Sequence, residues 1–245
     1  MHQDFLAPGI VVLTGAGISK ESGIDTFRDK DGLWTRVNLE DVATIEAWQR
    51  DKKKVLDFYN DTRKMFRGAH IEPNAAHRAL AHLEQEYEGE VTVVTQNIDP
   101  LHEMAGSKRV IHMHGRDGEI RCMKCGTVSA SDADLSPQSV CPTCHAVGEL
   151  RPNIVWFGEM PMHLDEIYEV LDRCELFLAI GTSGEVYPAA GFVLHVRRRR
   201  HRAHTVELNL EPTDNQSLFA EHIYGPATRI VPPYVERILA QGWAQ

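Results

Sequence analysis

Short apolar runs recur along the chain at residues 9–13, 91–95, 109–113, 176–180 and 205–210, and each ends in polar or small residues. Those ends are Thr14-Gly15-Ala16-Gly17, Thr95-Gln96-Asn97-Ile98-Asp99, His112-Met113-His114-Gly115, Gly181-Thr182-Ser183 and Asn209-Leu210-Glu211. Continuous apolar runs of this length read as strands covered on both faces, which is how parallel strands are buried. Helical patterns lie between several of them, with Ala76, Leu80 and Leu83 spaced along residues 74–87 and a similar pattern at 164–171. This alternation predicts an α/β fold, a parallel sheet with helices on both faces. Ligands of such sheets bind beyond the carboxyl ends of the strands, so the loaded ends mark one edge as the site.

The first of these ends opens the segment GAGISKESGIDTFRDKDGLW, residues 15–34. Gly15 and Gly17 let the chain turn tightly and approach a ligand with no Cβ in the way. Bare backbone N–H groups there, with the positive end of a helix dipole, suit a phosphate. The dinucleotide pattern G-x-G-x-x-G is incomplete, because Lys20 stands in the third glycine position. Ser19, Ser22, Gly23, Phe27 and Arg28 add hydroxyls, an aromatic face and a guanidinium, a set that a nucleotide-diphosphate pocket uses.

The chain has 245 residues, enough for one α/β domain with a modest insert and a large core. A net charge of −9 argues against nucleic acid or an anionic membrane as main partner and is compatible with lysine-rich substrates. No apolar stretch approaches the roughly 18 residues of a transmembrane helix. The first residues lack the pattern of a signal peptide, so a cytoplasmic protein is expected. Of five cysteines, four form two C-x-x-C pairs, Cys122/Cys125 and Cys141/Cys144, with 15 residues between the pairs. That spacing predicts one tetrahedral Zn2+ site; four thiolates leave no open position, so the metal is structural. Cys174, in an apolar helix-to-strand region, reads as a plain buried thiol. Residues 35–73 and 118–152 do not fit the sheet pattern; both read as insertions packing into a smaller domain, with Trp48, Val55, Phe58, Tyr59 and Met65 expected to be buried. The arginine run at 197–202 reads as a solvated helix end whose cations face the negative end of the dipole.

Together, GAGIS, Phe27-Arg28, TQNID, HMHG, the two cysteine knuckles, GTSGEVYPA and LNLEP resemble the sirtuin family over roughly residues 8–240, in the compact prokaryotic form. The resemblance implies an NAD-dependent protein-lysine deacylase with a Rossmann-like NAD-binding domain, here 1–34, 74–117 and 153–245, and a small domain of 35–73 and the zinc module 118–152. In that family the acyl oxygen of an acylated lysine attacks C1′ of the nicotinamide ribose and nicotinamide leaves, giving O-acyl-ADP-ribose. His112 and His114 share a strand face, and spacing alone does not choose between them as general base. The resemblance picks His114, and an imidazole suits that work at neutral pH.

The same likeness places Gln96, Asn97, Ile98 and Asp99 around the nicotinamide and ribose, with Asn97 and Asp99 joining His114 in catalysis. Asp99 before Pro100 also reads as a helix cap. Gly15, Ala16, Gly17, Ile18, Ser19, Phe27, Arg28 and Trp34 would close over NAD, and Gly181, Thr182, Ser183, Asn209, Leu210, Glu211 and Ala227 would hold its adenosine half. An acylated peptide would pair as an added strand between Val155-Trp156-Phe157-Gly158-Glu159 and Gly184-Glu185-Val186, its side chain entering near Val155 and Phe157. Trp156 stands where a small residue or Phe is more usual. A branch of the family that accepts succinyl and malonyl groups has a small Ala, a Tyr and an Arg three residues later. Ala43 and Tyr59 match, but the third position is Thr62 and Arg63 follows it. On a helix those two positions lie about 60° to one side and about 40° to the other side of Tyr59. The expectation is a deacetylase with weak or absent desuccinylase activity, acting as a monomer. The alternatives are a mono-ADP-ribosyltransferase of the same family and a hydride-transfer dehydrogenase. The latter would need an acidic residue on a second strand about 20 positions beyond the glycines, where residues 24–41 read as loop and helix.

Overall fold

The computed structural model describes residues 9–26, 38–68, 70–199 and 201–243. Nine strands run in chain order: β1 (Gly9–Thr14), β2 (Val91–Thr95), β3 (Val110–His112), β4 (Gly115–Cys122), β5 (Val128–Ala130), β6 (Leu150–Ile154), β7 (Cys174–Ile180), β8 (His204–Asn209) and β9 (Glu221–Tyr224). Six of them form one sheet in the order β3-β2-β1-β7-β8-β9, and every pairing in it is parallel. Counting only those strands along the chain gives 3-2-1-4-5-6, the doubly wound order whose ligand crevice opens where the order reverses, between β1 and β7. The register levels the strand ends: Thr14 lies opposite Thr95 and Ile180, Thr95 opposite His112, and Ile180 opposite Leu208.

Side chains alternate across this sheet, so each strand feeds two cores. Ile10 and Val12 face one side, packed with Leu80 and Leu83 of α3 (Ala75–Glu86) and with Tyr234, Val235 and Ile238 of α7 (Ala227–Gln241). Val11 and Leu13 face the other, against Ile167 and Leu171 of α5 (Leu164–Arg173) and Phe192 and Val196 of α6 (Phe192–Arg198). The expected parallel sheet with helices on both faces is therefore present. The last strand, β9, was not expected from the sequence. Its four residues alternate between half-buried and exposed, too brief a pattern to signal a strand without its pairing to β8.

The remaining strands form a small antiparallel sheet, β5-β4-β6. Two helices from the other insertion, α1 (Ile45–Arg50) and α2 (Lys52–Phe66), share a core with it: Trp48, Val55, Phe58 and Tyr59 pack with Ile120, Cys122, Cys141, Leu150 and Trp156. Thr44 and Asp51 cap these helices, accepting from the backbone N–H groups of Ala47 and Lys54. Met65 is only half-buried and lies beside a separate cluster around Ile24, Phe66, Ile71 and Leu101. The arginine run is less free than a solvated helix end. Arg197 donates to Leu218 O, and Arg199 donates to the carbonyls of Leu171 and Cys174, closing the end of α5.

At the switch point the turns after β1 and β7 touch. A Cβ on Gly17 would lie 2.7 Å from Gly181 Cα, and one on Gly181 would lie 2.7 Å from Gly17 C, with Gly181 already at φ +62°. Gly181→Ala is expected to cost about 2 kcal/mol or more in urea unfolding, strain and clash together. Gly242→Ala, at φ +73° but facing open space, isolates the strain and should cost about 1 kcal/mol. Equal losses at the two positions would show that the turns do not touch.

Candidate active site

Side chains from the ends of β1 and β2 lock together beneath the crevice. Thr14 Oγ1 donates to Thr95 Oγ1 at 2.9 Å and lies 3.0 Å from His102 Nε2 on α4 (Leu101–Ala105). Asn97 Nδ2 donates to Gly15 O and to Ser19 Oγ, both at 3.1 Å, and Ser19 Oγ donates to Asp99 Oδ2 at 2.9 Å. Asn97 and Asp99, which the family resemblance places around the same ligand, are thus joined to the GAGIS turn in one buried chain of hydrogen bonds. The expected helix-cap position falls one residue later, at Pro100, and Asp99 Oδ1 accepts from Leu101 N at 3.2 Å from just ahead of it. Asn74 supports the turn from below. Its Nδ2 donates to Ile18 O and Ser22 Oγ, while its Oδ1 caps α3. Sequence reasoning missed this residue, whose signal was an N-cap asparagine directly before a helical pattern.

The two histidines do not share a strand as expected, because His112 ends β3 and His114 lies in the turn before β4, and their surroundings differ. His114 Nδ1 lies 3.1 Å from Gln96 O, an acceptor, so this nitrogen carries the proton and Nε2 keeps its lone pair. Nε2 makes no hydrogen bond among the described residues. Burial lowers the basicity of His114 below the ordinary imidazole range, opposed by the Gln96 carbonyl. His112 instead faces an acceptor on each side, with Nε2 2.6 Å from Glu103 Oε1 and Nδ1 3.4 Å from Asn97 O.

The segment after β6 runs beside His114. Val155 N donates to His114 O and Phe157 N to Ala43 O, both at 2.9 Å, leaving Phe157 59% exposed at the surface. Trp156 turns inward: its Nε1 donates to Tyr59 OH at 2.9 Å, and the Arg151 guanidinium stacks on its ring. Arg151 binds both oxygens of Glu159 at 2.9 Å, and Glu159 also accepts from Trp156 N. Burial raises the Glu159 carboxyl, but these contacts outweigh it and hold it below the usual range. The Glu159 side chain therefore braces this loop. Tyr59 and Thr62 are buried; the Thr62 hydroxyl donates to Phe58 O. Arg63 is 3% exposed and already committed, with Nε donating to Asp117 Oδ1 at 3.0 Å and a terminal nitrogen to Ala133 O.

Across the crevice, Asn209 Nδ2 donates to Thr182 O at 2.7 Å and Ser183 Oγ accepts from Glu185 N, which ties the ends of β7 and β8 together. Gly184 packs on Asn215, Val186 is exposed, and Leu210 and Glu211 project outward from the end of β8. Ala227 opens α7. Phe27, Arg28 and Trp34 lie outside the described residues.

The four cysteine sulfurs of the two knuckles lie within 4.8 Å of one another, with Cys122–Cys144 at 3.7 Å and Cys125–Cys141 at 3.8 Å. Zn–S bonds of about 2.3 Å in a tetrahedron require edges of about 3.8 Å. Each knuckle closes the same way, Cys122 O accepting from Gly126 N and Cys141 O from His145 N. The set fits one structural zinc. The strand-end turns fit a dinucleotide equally: Gly15 and Gly17 lie too close to Gly181 and Thr182 to carry side chains, and the Ala16 N–H has no partner among the described residues.

A family model, the Sir2 family, matches residues 15–188, and the chain belongs to that family. A protein of Vibrio vulnificus (strain YJ016) named NAD-dependent protein deacylase is 53% identical over 94% of both chains. One of the same name from Escherichia coli (strain K12) is 52% identical over 95% of this chain and 82% of its own. Among solved structures, a Sir2 homolog–NAD complex superposes with a TM-score of 0.83 at 36% identity, covering 95% of this chain and 91% of that one. A Sir2–p53 peptide–NAD+ complex gives 0.71 at 32% identity, over 95% and 92%.

Burial pushes the Asp99 carboxyl up to about 6, against the Leu101 N–H, the Ser19 hydroxyl and the charge of His112, which favour the carboxylate; Glu103 opposes them. A carboxyl held above its ordinary 3.8 favours the fold at low pH, and that contribution is lost as pH rises through about 6. Asp99→Asn removes this ionisation. Its melting temperature relative to wild type is expected to be higher at about pH 7.5 than at about pH 4.5. A difference that stays constant or falls would contradict the buried carboxylate.

Proposed function

We propose that the chain removes acyl groups from protein lysines at the expense of NAD, with His114 as general base. The observation that carries this reading is the pairing of a His114 Nε2 that makes no hydrogen bond among the described residues with the neighbouring segment Val155–Phe157, whose Val155 N donates to His114 O and whose Phe157 is exposed. NAD supplies a cationic, cleavable nicotinamide–ribose bond. The turns at Gly15–Ser19, Gln96–Asp99, Gly181–Ser183 and Asn209–Glu211, with Ala227, would hold it, and Phe27, Arg28 and Trp34 would add to them. Gln96 fixes the His114 ring through Nδ1, so that Nε2 can take a proton from a sugar hydroxyl. Asn97 and Asp99 set a polar, negatively disposed wall against a cationic ring. The segments 1–34, 74–117 and 153–245 form the NAD-binding domain, and 35–73 with 118–152 the zinc-bearing one.

Substrates are acylated proteins or peptides that add a strand between Val155–Glu159 and Gly184–Val186. A net charge of −9 favours basic peptides over nucleic acid or an anionic membrane, and no helix among the described residues is long and apolar enough to cross a membrane. The reading includes a cytoplasmic monomer. Incubation with NAD and an acetyl-lysine peptide, followed by mass spectrometry, should give nicotinamide, free lysine and acyl-ADP-ribose in equal amounts. His114→Ala should lower turnover by about 10²–10⁴ with folding intact. NADH formation would point instead to hydride transfer, and label passing from NAD to protein would point to mono-ADP-ribosylation.

The acyl preference follows from Thr62 and Arg63. The guanidinium that would meet a succinyl carboxylate is absent at position 62 and is held by Asp117 and Ala133 at position 63. A bidentate clamp depends on placement, which a bond to Asp117 already fixes elsewhere. Turnover on a succinyl-lysine peptide is expected to be at least about tenfold below that on the acetyl form, the scale of one lost charge-assisted pair. Equal efficiency on both would refute this.

A further inference from the structure

We propose that the ion pair of His112 with Glu103 is a positioning device that fixes the NAD-binding turn of residues 96–100; the proposal rests on the deacylase reading. The turn carrying Asn97 and Asp99 leaves the well-paired strand β2 and enters α4, which has only five residues, and it lies beside the end of β3, a three-residue edge strand. A helix that short does not hold its shape unaided. The N–H of its first residue, Leu101, donates to Asp99 Oδ1, which links the start of the helix to the buried carboxylate of the turn.

The pair closes this arrangement like a staple. His112, opposite Thr95 at the end of β3, reaches Glu103 on α4 with Nε2 at 2.6 Å and Asn97 O with Nδ1 at 3.4 Å. A carboxylate and a carbonyl both only accept, so the ring makes both contacts only when both nitrogens carry protons. The other Glu103 oxygen is buried without a hydrogen-bond partner among the described residues, and His112 makes the side-chain bond that orients that carboxylate. Burial raises the Glu103 carboxyl, and the His112 bond and charge outweigh it, leaving it below the usual range. What the pair holds in place is Asn97, whose amide in turn holds Gly15 and Ser19.

The test is calorimetric binding of NAD and, separately, of an acetyl-lysine peptide to the wild type, His112→Ala, Glu103→Gln and the double variant. Thermal melts and steady-state turnover are measured on the same samples. His112→Ala should weaken NAD about tenfold, the scale of one charge-assisted hydrogen bond, with peptide affinity held within about twofold. Glu103→Gln keeps an acceptor and loses the charge, so a loss of about threefold is expected, which serves if the alanine variant does not fold. The double variant should bind NAD no more weakly than His112→Ala, as partners in one interaction do. Unchanged NAD affinity in both single variants, additive losses, or equal losses for NAD and peptide would overturn the proposal while wild-type turnover left the deacylase reading standing. A wild type that binds NAD but turns over no acyl peptide would overturn that reading, and the proposal with it.

Discussion

The close contact between the turns after β1 and β7 is the constraint on which the rest of the site depends. Glycines at positions 15, 17 and 181 remove every Cβ from that contact, and the backbone bonds Gly15 N to Ile180 O and Gly17 N to Gly181 O take their place. With the two turns held this tightly, the chain of side chains from Thr95 through Asn97 and Ser19 to Asp99 spans the strand ends without a gap. Buried polar networks stabilise only when their members are satisfied. Here each link is also a link between elements: Asn97 ties β2 to the GAGIS turn, Asp99 ties that turn to α4, and Asn74 ties it to α3.

The same economy separates the two histidines. They differ in chemistry through the number of acceptors that face each ring. His112 is held from both sides and His114 from one, so the first is structural and the second keeps a lone pair. Burial lowers the basicity of His114, and the Gln96 carbonyl, which holds it in one tautomer, opposes that shift. The Val155 bond to the backbone of His114 then links this base to the segment ending in the exposed Phe157, where a peptide would pair.

Much of this was legible in the residues. The apolar strands ending in polar turns gave the sheet and its ligand edge, because both signals are local and periodic. The C-x-x-C pairs gave the metal site, because four thiolates at that spacing have few other uses. What was not legible depends on partners distant in sequence. His112 and His114 could not be separated by spacing, since the difference lies in Glu103 and Gln96. Arg63 sits on the right side of its helix to reach toward an acyl group, yet Asp117 and Ala133, more than 50 residues on, already hold it. Trp156 carried no sequence-level meaning; its place between Tyr59 and Arg151 exists only once the insertions have packed together.

The central claim is that His114 offers Nε2 as a base while His112 is fully engaged. Nitrogen-15 NMR of the imidazole side chains in the native protein at neutral pH reads this directly. His114 is expected as the neutral tautomer protonated at Nδ1, with its Nε2 lone pair free. A His114 ring carrying its proton on Nε2 would contradict this.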